Sequence, residues 1–146
     1  GDPAVAAVGA TFSSATTRDG WFGMPDNCSV DGLGRLWVAT DGNSASRTGR
    51  ADGIWGVETE GAGRGTARHF FQVPTGAEMC GPYFTPDDSP FFVGVQHPGE
   101  ADEDDPAALP ATFEAPATRW PDFDPATPPR PSVVAITRRG GGRVGT

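Results

Sequence analysis

Two short stretches hold the groups best suited to chemistry, Met24-Pro25-Asp26-Asn27-Cys28 and Gly76-Ala77-Glu78-Met79-Cys80. Asp26, Asn27 and Glu78 offer carboxylate and amide oxygens, of which calcium collects about six to eight, and an iron site would accept the same carboxylates, with a thiolate besides. Glu78 is the sharper candidate. A carboxylate set among Ala77, Met79 and Cys80 at the mouth of an apolar run is costly to bury unless it is paired, protonated or metal-bound. Asp26-Asn27 has a plainer alternative, because Asx side chains after a proline readily bond their own backbone and make a turn. His97, in Gln96-His97-Pro98-Gly99-Glu100, has the chemistry of a ligand, a phosphate donor or a general acid, and equally that of a hydrogen-bonded structural histidine. Asp41 ranks below these, since Thr40-Asp41-Gly42-Asn43 ends in turn residues.

Other chemistries are excluded by what is missing. All 11 basic residues are arginine, so neither a lysine Schiff base nor a P-loop lysine is available, and no GxSxG elbow or HExxH helix occurs. A net charge of -8 argues against a nucleic-acid partner, whose phosphates demand a basic stripe. Most of the acidic excess sits in Glu100, Asp102, Glu103, Asp104 and Asp105, which reads as a solvated acidic loop. Cys28 and Cys80 match no CxxC pattern; they are either one disulfide or two small buried thiols. No stretch approaches the length of a membrane span, and Gly1-Asp2-Pro3-Ala4 lacks the features of a signal peptide, so an export signal is expected upstream.

Gly 21 and Pro 15 make up about a quarter of the chain and disfavour helix. Between them lie short β-branched and aromatic runs, the pattern of an all-β chain. Val30-Asp31-Gly32-Leu33-Gly34-Arg35-Leu36-Trp37-Val38-Ala39-Thr40 reads as strand, tight turn, strand. Roughly 50 residues later, Tyr83-Phe84-Thr85-Pro86-Asp87-Asp88-Ser89-Pro90-Phe91-Phe92-Val93-Gly94-Val95 repeats that order. Two more strands are expected between the hairpins, over Gly53-Ile54-Trp55-Gly56-Val57-Glu58 and over residues 66–73, with a Gly-rich turn at 60–63. A four-stranded antiparallel unit at this period is the mark of a β-propeller blade. Residues 80–137 then start a second blade, in which Ser132-Val133-Val134-Ala135-Ile136-Thr137 is the third strand and residues 100–131 form a flexible Pro-rich acidic loop insertion. The expectation is an all-β propeller fragment of about one and a half four-stranded blades. First strands line a propeller's central channel, so Asp26, Asn27 and Glu78 are expected to converge on its axis. The four tryptophans are assigned to packing between sheets.

The chain resembles the C-terminal part of PhoX-type alkaline phosphatases. The resemblance rests on Gly20-Trp21-Phe22, Pro25-Asp26-Asn27-Cys28, Gly34 through Asn43, Thr48-Gly49-Arg50 with Asp52-Gly53, Gly76-Ala77-Glu78 with Cys80-Gly81-Pro82, Phe84-Thr85-Pro86-Asp87, Val95 through Glu100, and Arg130 through Ile136. It implies that residues 1–146 are the C-terminal segment of a larger propeller enzyme that hydrolyses phosphate monoesters with bound calcium (Ca2+) and iron (Fe3+) and is exported to the periplasm or beyond. On the same footing Glu78 looks like a metal-binding glutamate and Asp26 with Asn27 like a channel-facing pair, with His97 a candidate substrate contact. The family's other ligands, its iron-binding cysteine and its substrate-binding arginine fall upstream, so neither Cys28 nor Cys80 is equated with that thiolate. The piece is then inactive alone and needs the upstream part of its propeller. The usual Asp-Gly turn is here Asp87-Asp88-Ser89-Pro90, where a local change is expected. Two rival readings are a calcium-dependent propeller lactonase and a non-catalytic propeller module that binds partners through its loops.

Overall fold

A computed structural model describes residues 17–146, so the first 16 residues, Gly1 to Ala4 among them, lie outside the described part. Four strands, β1 (Pro25–Val30), β2 (Leu36–Thr40), β3 (Gly53–Val57) and β4 (Ala67–Gln72), form one antiparallel sheet in the order of the chain. Three more, β5 (Glu78–Phe84), β6 (Pro90–Gln96) and β7 (Ser132–Thr137), form a second. The chain is thus one complete propeller blade and three strands of the next. The strands start where the β-branched and aromatic runs start, except that β5 begins at Glu78, ahead of the run at Tyr83, and that β1 begins early as well. Asp26 and Asn27 lie inside β1 and not in a turn before it, because the chain turns earlier, at Met24, whose φ of 48 is in the left-handed region.

Each hairpin turn carries a buried acid. Asp31 accepts from the backbone N–H of Leu33 (2.9 Å) and Arg35 (3.0 Å), from Arg35 Nε (2.7 Å) and from Trp37 Nε1 (2.9 Å), and it pairs with the Arg35 guanidinium at 2.6 Å. Burial pushes the Asp31 carboxyl up, but the donors on Trp37, Arg35 and Leu33 together outweigh it and hold it below the ordinary 3.8. In the second turn Asp88 stands at φ 56, the conformation a glycine would take. Its buried carboxylate accepts the Gly32 N–H of the first turn at 2.9 Å and meets Arg143 at 3.2 Å. The departure from Asp-Gly is therefore local, and it adds a clasp between the two blades.

The sheets face each other across an apolar layer. Trp37 lies 5.2 Å from both Phe84 and Phe91 and 4.9 Å, edge on, from Phe70, while Ile54, Met79, Val93 and Val95 complete the buried cluster. On the other face of the first sheet Trp55 is fully buried, stacked on His69 at 4.5 Å and packed against Phe22 at 5.4 Å. Trp37 and Trp55 thus have the packing role expected of them, and Trp120 leans on the same core. Residues 97–131 contain no strand or helix. Their order comes from Trp120, from the Ala117 N–H to Gly99 O bond (3.0 Å) and from the Arg130–Asp122 pair (2.8 Å). No helix among the described residues is long and apolar enough to cross a membrane.

Candidate functional site

All the sequence candidates lie at one end of the two sheets. β1 starts there opposite the end of β2, with Pro25 paired to Thr40, and β5 starts there opposite the end of β6, with Glu78 paired to Gln96. The hairpin turns of Asp31 and Asp88 meet at the other end. β1 and β5 therefore run side by side in the same direction as the inner strands of successive blades. The Asn27 side chain crosses the seam between them, its Oδ1 accepting the Gly81 N–H at 3.1 Å.

Glu78 holds a largely buried carboxylate at this end. Its side chain is 12% exposed. One oxygen, Oε2, accepts from Gln96 Nε2 and faces His97 Nε2 at 3.4 Å. The other His97 nitrogen, Nδ1, lies 3.1 Å from Gly76 O and 3.5 Å from Glu100. His97 reaches this position at φ 38, an uncommon backbone state for a side-chain-bearing residue. Asp26 is exposed on β1. Burial raises the Cys80 thiol, and the charges of Glu78 and Asp26 raise it further. The structure thus brings Glu78 together with His97 and places Asp26 and Asn27 along the adjoining strand. Among the described residues no group of three or more His, Cys, Asp or Glu side chains gathers closely enough to hold a metal ion.

The two cysteines are free. Cys28 pairs across β1 and β2 with Val38, on the face turned away from the second sheet, and Cys80 pairs with Gly94, on the outer face of the second sheet. The two therefore form no disulfide in this structure.

Sequence reasoning missed a second acidic feature. A cavity of about 200 Å³ opens between the blades, lined by Asp41, Asn43, Asp52, His97, Glu100 and Asp102 among others. The acidic run read as a solvated loop folds back to form its wall: Asp102 is 8% exposed, and Asp104 pairs with Arg47 at 3.0 Å. Asp52 is buried and accepts from Thr40 Oγ1 (2.7 Å) and from the backbone N–H groups of Gly42 (2.9 Å) and Asn43 (2.8 Å). Burial pushes its carboxyl above the ordinary 3.8 and the Asp41 charge adds to that, while these three donors only partly oppose it. A one-turn helix, α1 (Ala45–Thr48), stands beside the cavity. Its signal was present in Ser44, whose Oγ accepts the Arg47 N–H at 3.2 Å, and in Gly49 at φ 81 just past the end.

Two antiparallel sheets stacked with their first strands side by side are successive blades of a propeller. The comparisons narrow this class. A family model described as Alkaline phosphatase PhoX matches residues 1–99. The solved structure of Pseudomonas fluorescens PhoX in complex with vanadate, a transition state analogue, is 34% identical, with a TM-score of 0.65, over 83% of this chain and 19% of that one. No curated protein matches. The chain belongs to the PhoX alkaline phosphatase family, and it spans about a fifth of the length of that relative.

Proposed function

We propose that the protein to which this chain contributes hydrolyses phosphate monoesters with the help of bound calcium and iron, and that Glu78, Asp26 and Asn27 supply part of the metal site. What supports this most is the state of Glu78: a largely buried carboxylate at the head of an inner strand, fixed at one oxygen by Gln96 and His97 and flanked across the seam by β1. Carboxylate and amide oxygens suit hard cations, so the donor set fits calcium in kind, and the remaining ligands would come from blades that precede these two. The cations would neutralise charge on the phosphoryl oxygens. Within this chain, Gln96 and His97 would orient Glu78, as groups behind a metal ligand commonly do, and His97, 3.4 Å from that carboxylate, would also be a substrate contact. A Tat-exported periplasmic or extracellular enzyme is the setting this reading implies.

The test uses the full-length protein. Glu78→Ala should lower its bound calcium and iron together with its rate on phosphate esters, and Gln96→Leu should weaken metal binding by about tenfold or more. Metal content and rate that both stay at the unsubstituted level in Glu78→Ala overturn the assignment. Assaying lactones beside phosphate esters separates the activity from that of a propeller lactonase.

A further inference from the structure

A different part of the same end gathers basic side chains. Beside α1 lies a concavity of about 440 Å³ whose walls include Arg18, Arg47 and Arg50 together with Trp21 and Phe22. In a chain of net charge -8, three of the 11 basic residues meet at this one place. We propose that this pocket binds a tetrahedral oxyanion, either free phosphate or the phosphate group of a monoester, with the guanidinium groups as donors and the aromatic rings as the wall for an organic substituent.

Arg50 carries the argument. Its side chain is only 17% exposed, and a guanidinium so far removed from water needs strong partners. It has weak ones: its contacts among the described residues are to the Arg18 and Asp19 carbonyls and to the Asp19 carboxylate, all at 3.4 Å, and that carboxylate is itself 77% exposed. These engage both Nη2 hydrogens and one on Nη1, which leaves the Nε–H and one Nη1–H of its five donors for an anion. Arg47 pairs with Asp104 at 3.0 Å, but both side chains are substantially exposed, and an exposed pair of this kind is exchanged readily for a more highly charged partner. Arg18 is exposed and lines the pocket from the other side. Three guanidiniums thus line the pocket, and the carboxylates paired with them are Asp19 and Asp104. A dianion bonded to several guanidinium forks gains short charge-assisted bonds that neither aspartate supplies in its present position. Phe22 is held in place by Trp55, so the aromatic wall is rigid before any ligand arrives.

The pocket uses none of the residues proposed for metal, and this dictates the experiment. The chain is titrated with inorganic phosphate by calorimetry, with EDTA present and with sodium chloride at about 150 mM, where loose surface attraction is screened. Saturable binding is expected, and Arg18→Ala and Arg47→Ala should each weaken it by about tenfold. Both side chains are exposed, so these variants should retain the fold, which circular dichroism checks; Arg50→Ala is a poorer choice because it releases the clamp on residues 18 and 19. Phenyl phosphate in place of phosphate identifies the source: tighter binding marks the ester as the occupant, and equal or weaker binding marks the free anion. No saturable binding in EDTA, or binding unchanged in both arginine variants, overturns the proposal. Because EDTA removes cations and the β1–β5 seam is untouched, failure here leaves the phosphatase reading standing, and failure of that reading leaves the pocket standing.

Discussion

Single residues at the turn end do more for this structure than those at the site end. Asp31 has a side chain 1% exposed and satisfies the Arg35 guanidinium and the Trp37 indole at once. Removing it with Asp31→Ala strands a half-buried cation, and the expected loss is about 3 kcal/mol in a denaturant melt. The pH dependence follows from the same contacts. The folded-state carboxyl sits below its ordinary 3.8, so the unfolded chain binds the proton more readily; the stability Asp31 contributes is complete above that value and is lost as the pH falls through the lower folded value. His69 acts in the same direction at a higher pH. Burial lowers its pKa below 6.5, the Arg50 charge lowers it further, and its Nε2 is buried without a hydrogen-bond partner among the described residues. The unfolded state therefore takes up the proton first, and stability should decline as the pH falls below 6.5. Melts between pH 7 and 5 check this, with His69→Phe expected to flatten the decline.

At the scale of elements, the loops decide how the strands meet. Gly76, at φ 82, lies so close to the Glu100 carbonyl that a β-carbon there would overlap it. Gly76→Ala should therefore cost about 2 kcal/mol and release the acidic wall of the cavity, seen as faster hydrogen exchange over residues 100–105. The C-terminal tail is a second such loop. Val144 is buried, Arg35 Nη1 donates to Gly145 O at 2.6 Å, and Gly145 closes over the Trp37 ring. Deleting residues 143–146 should expose Trp37 and red-shift its fluorescence, with a loss of about 2 kcal/mol. The places of the seven strands were legible from short β-branched and aromatic runs bounded by Gly, Pro and Asp, because that pattern is local, whereas the early starts of β1 at Pro25 and of β5 at Glu78 were not. Glu78 was legible for a similar reason, being an acid in apolar company. What could not be read was the meeting of distant segments: Asp88 on Gly32, Arg47 on Asp104, and the acidic run folded back beside Asp52. A charge run looks the same in sequence whether it is solvated or lines a cavity, and only the path of residues 97–131 distinguishes the two.

The two blades also show what the whole molecule requires. The turn-closing pairs are Val30 with Leu36 and Phe84 with Phe91, so Trp37 in the first blade corresponds to Phe92 in the second. Trp37 is 2% exposed because the second sheet covers it. Phe92 belongs to a face with no such cover among the described residues: its neighbours across the sheet are Tyr83 and Ala135, and beside them Tyr83 is 60% and Val133 74% exposed. β7 likewise presents an edge where the first blade has β4. If the unit repeats as in a propeller, a third sheet is expected on this face and a fourth strand on this edge; the chain spans 19% of its solved relative. Tyr83→Lys with Val133→Lys should then change the stability of the chain alone by no more than about 0.5 kcal/mol per site, as for exposed positions generally. The same pair should abolish its co-purification with a polypeptide carrying the preceding blades, because two charges would be buried without partners. Unimpaired co-purification of the double variant would show that the preceding blades dock elsewhere, and that the face of Phe92 is an outer surface of the finished molecule.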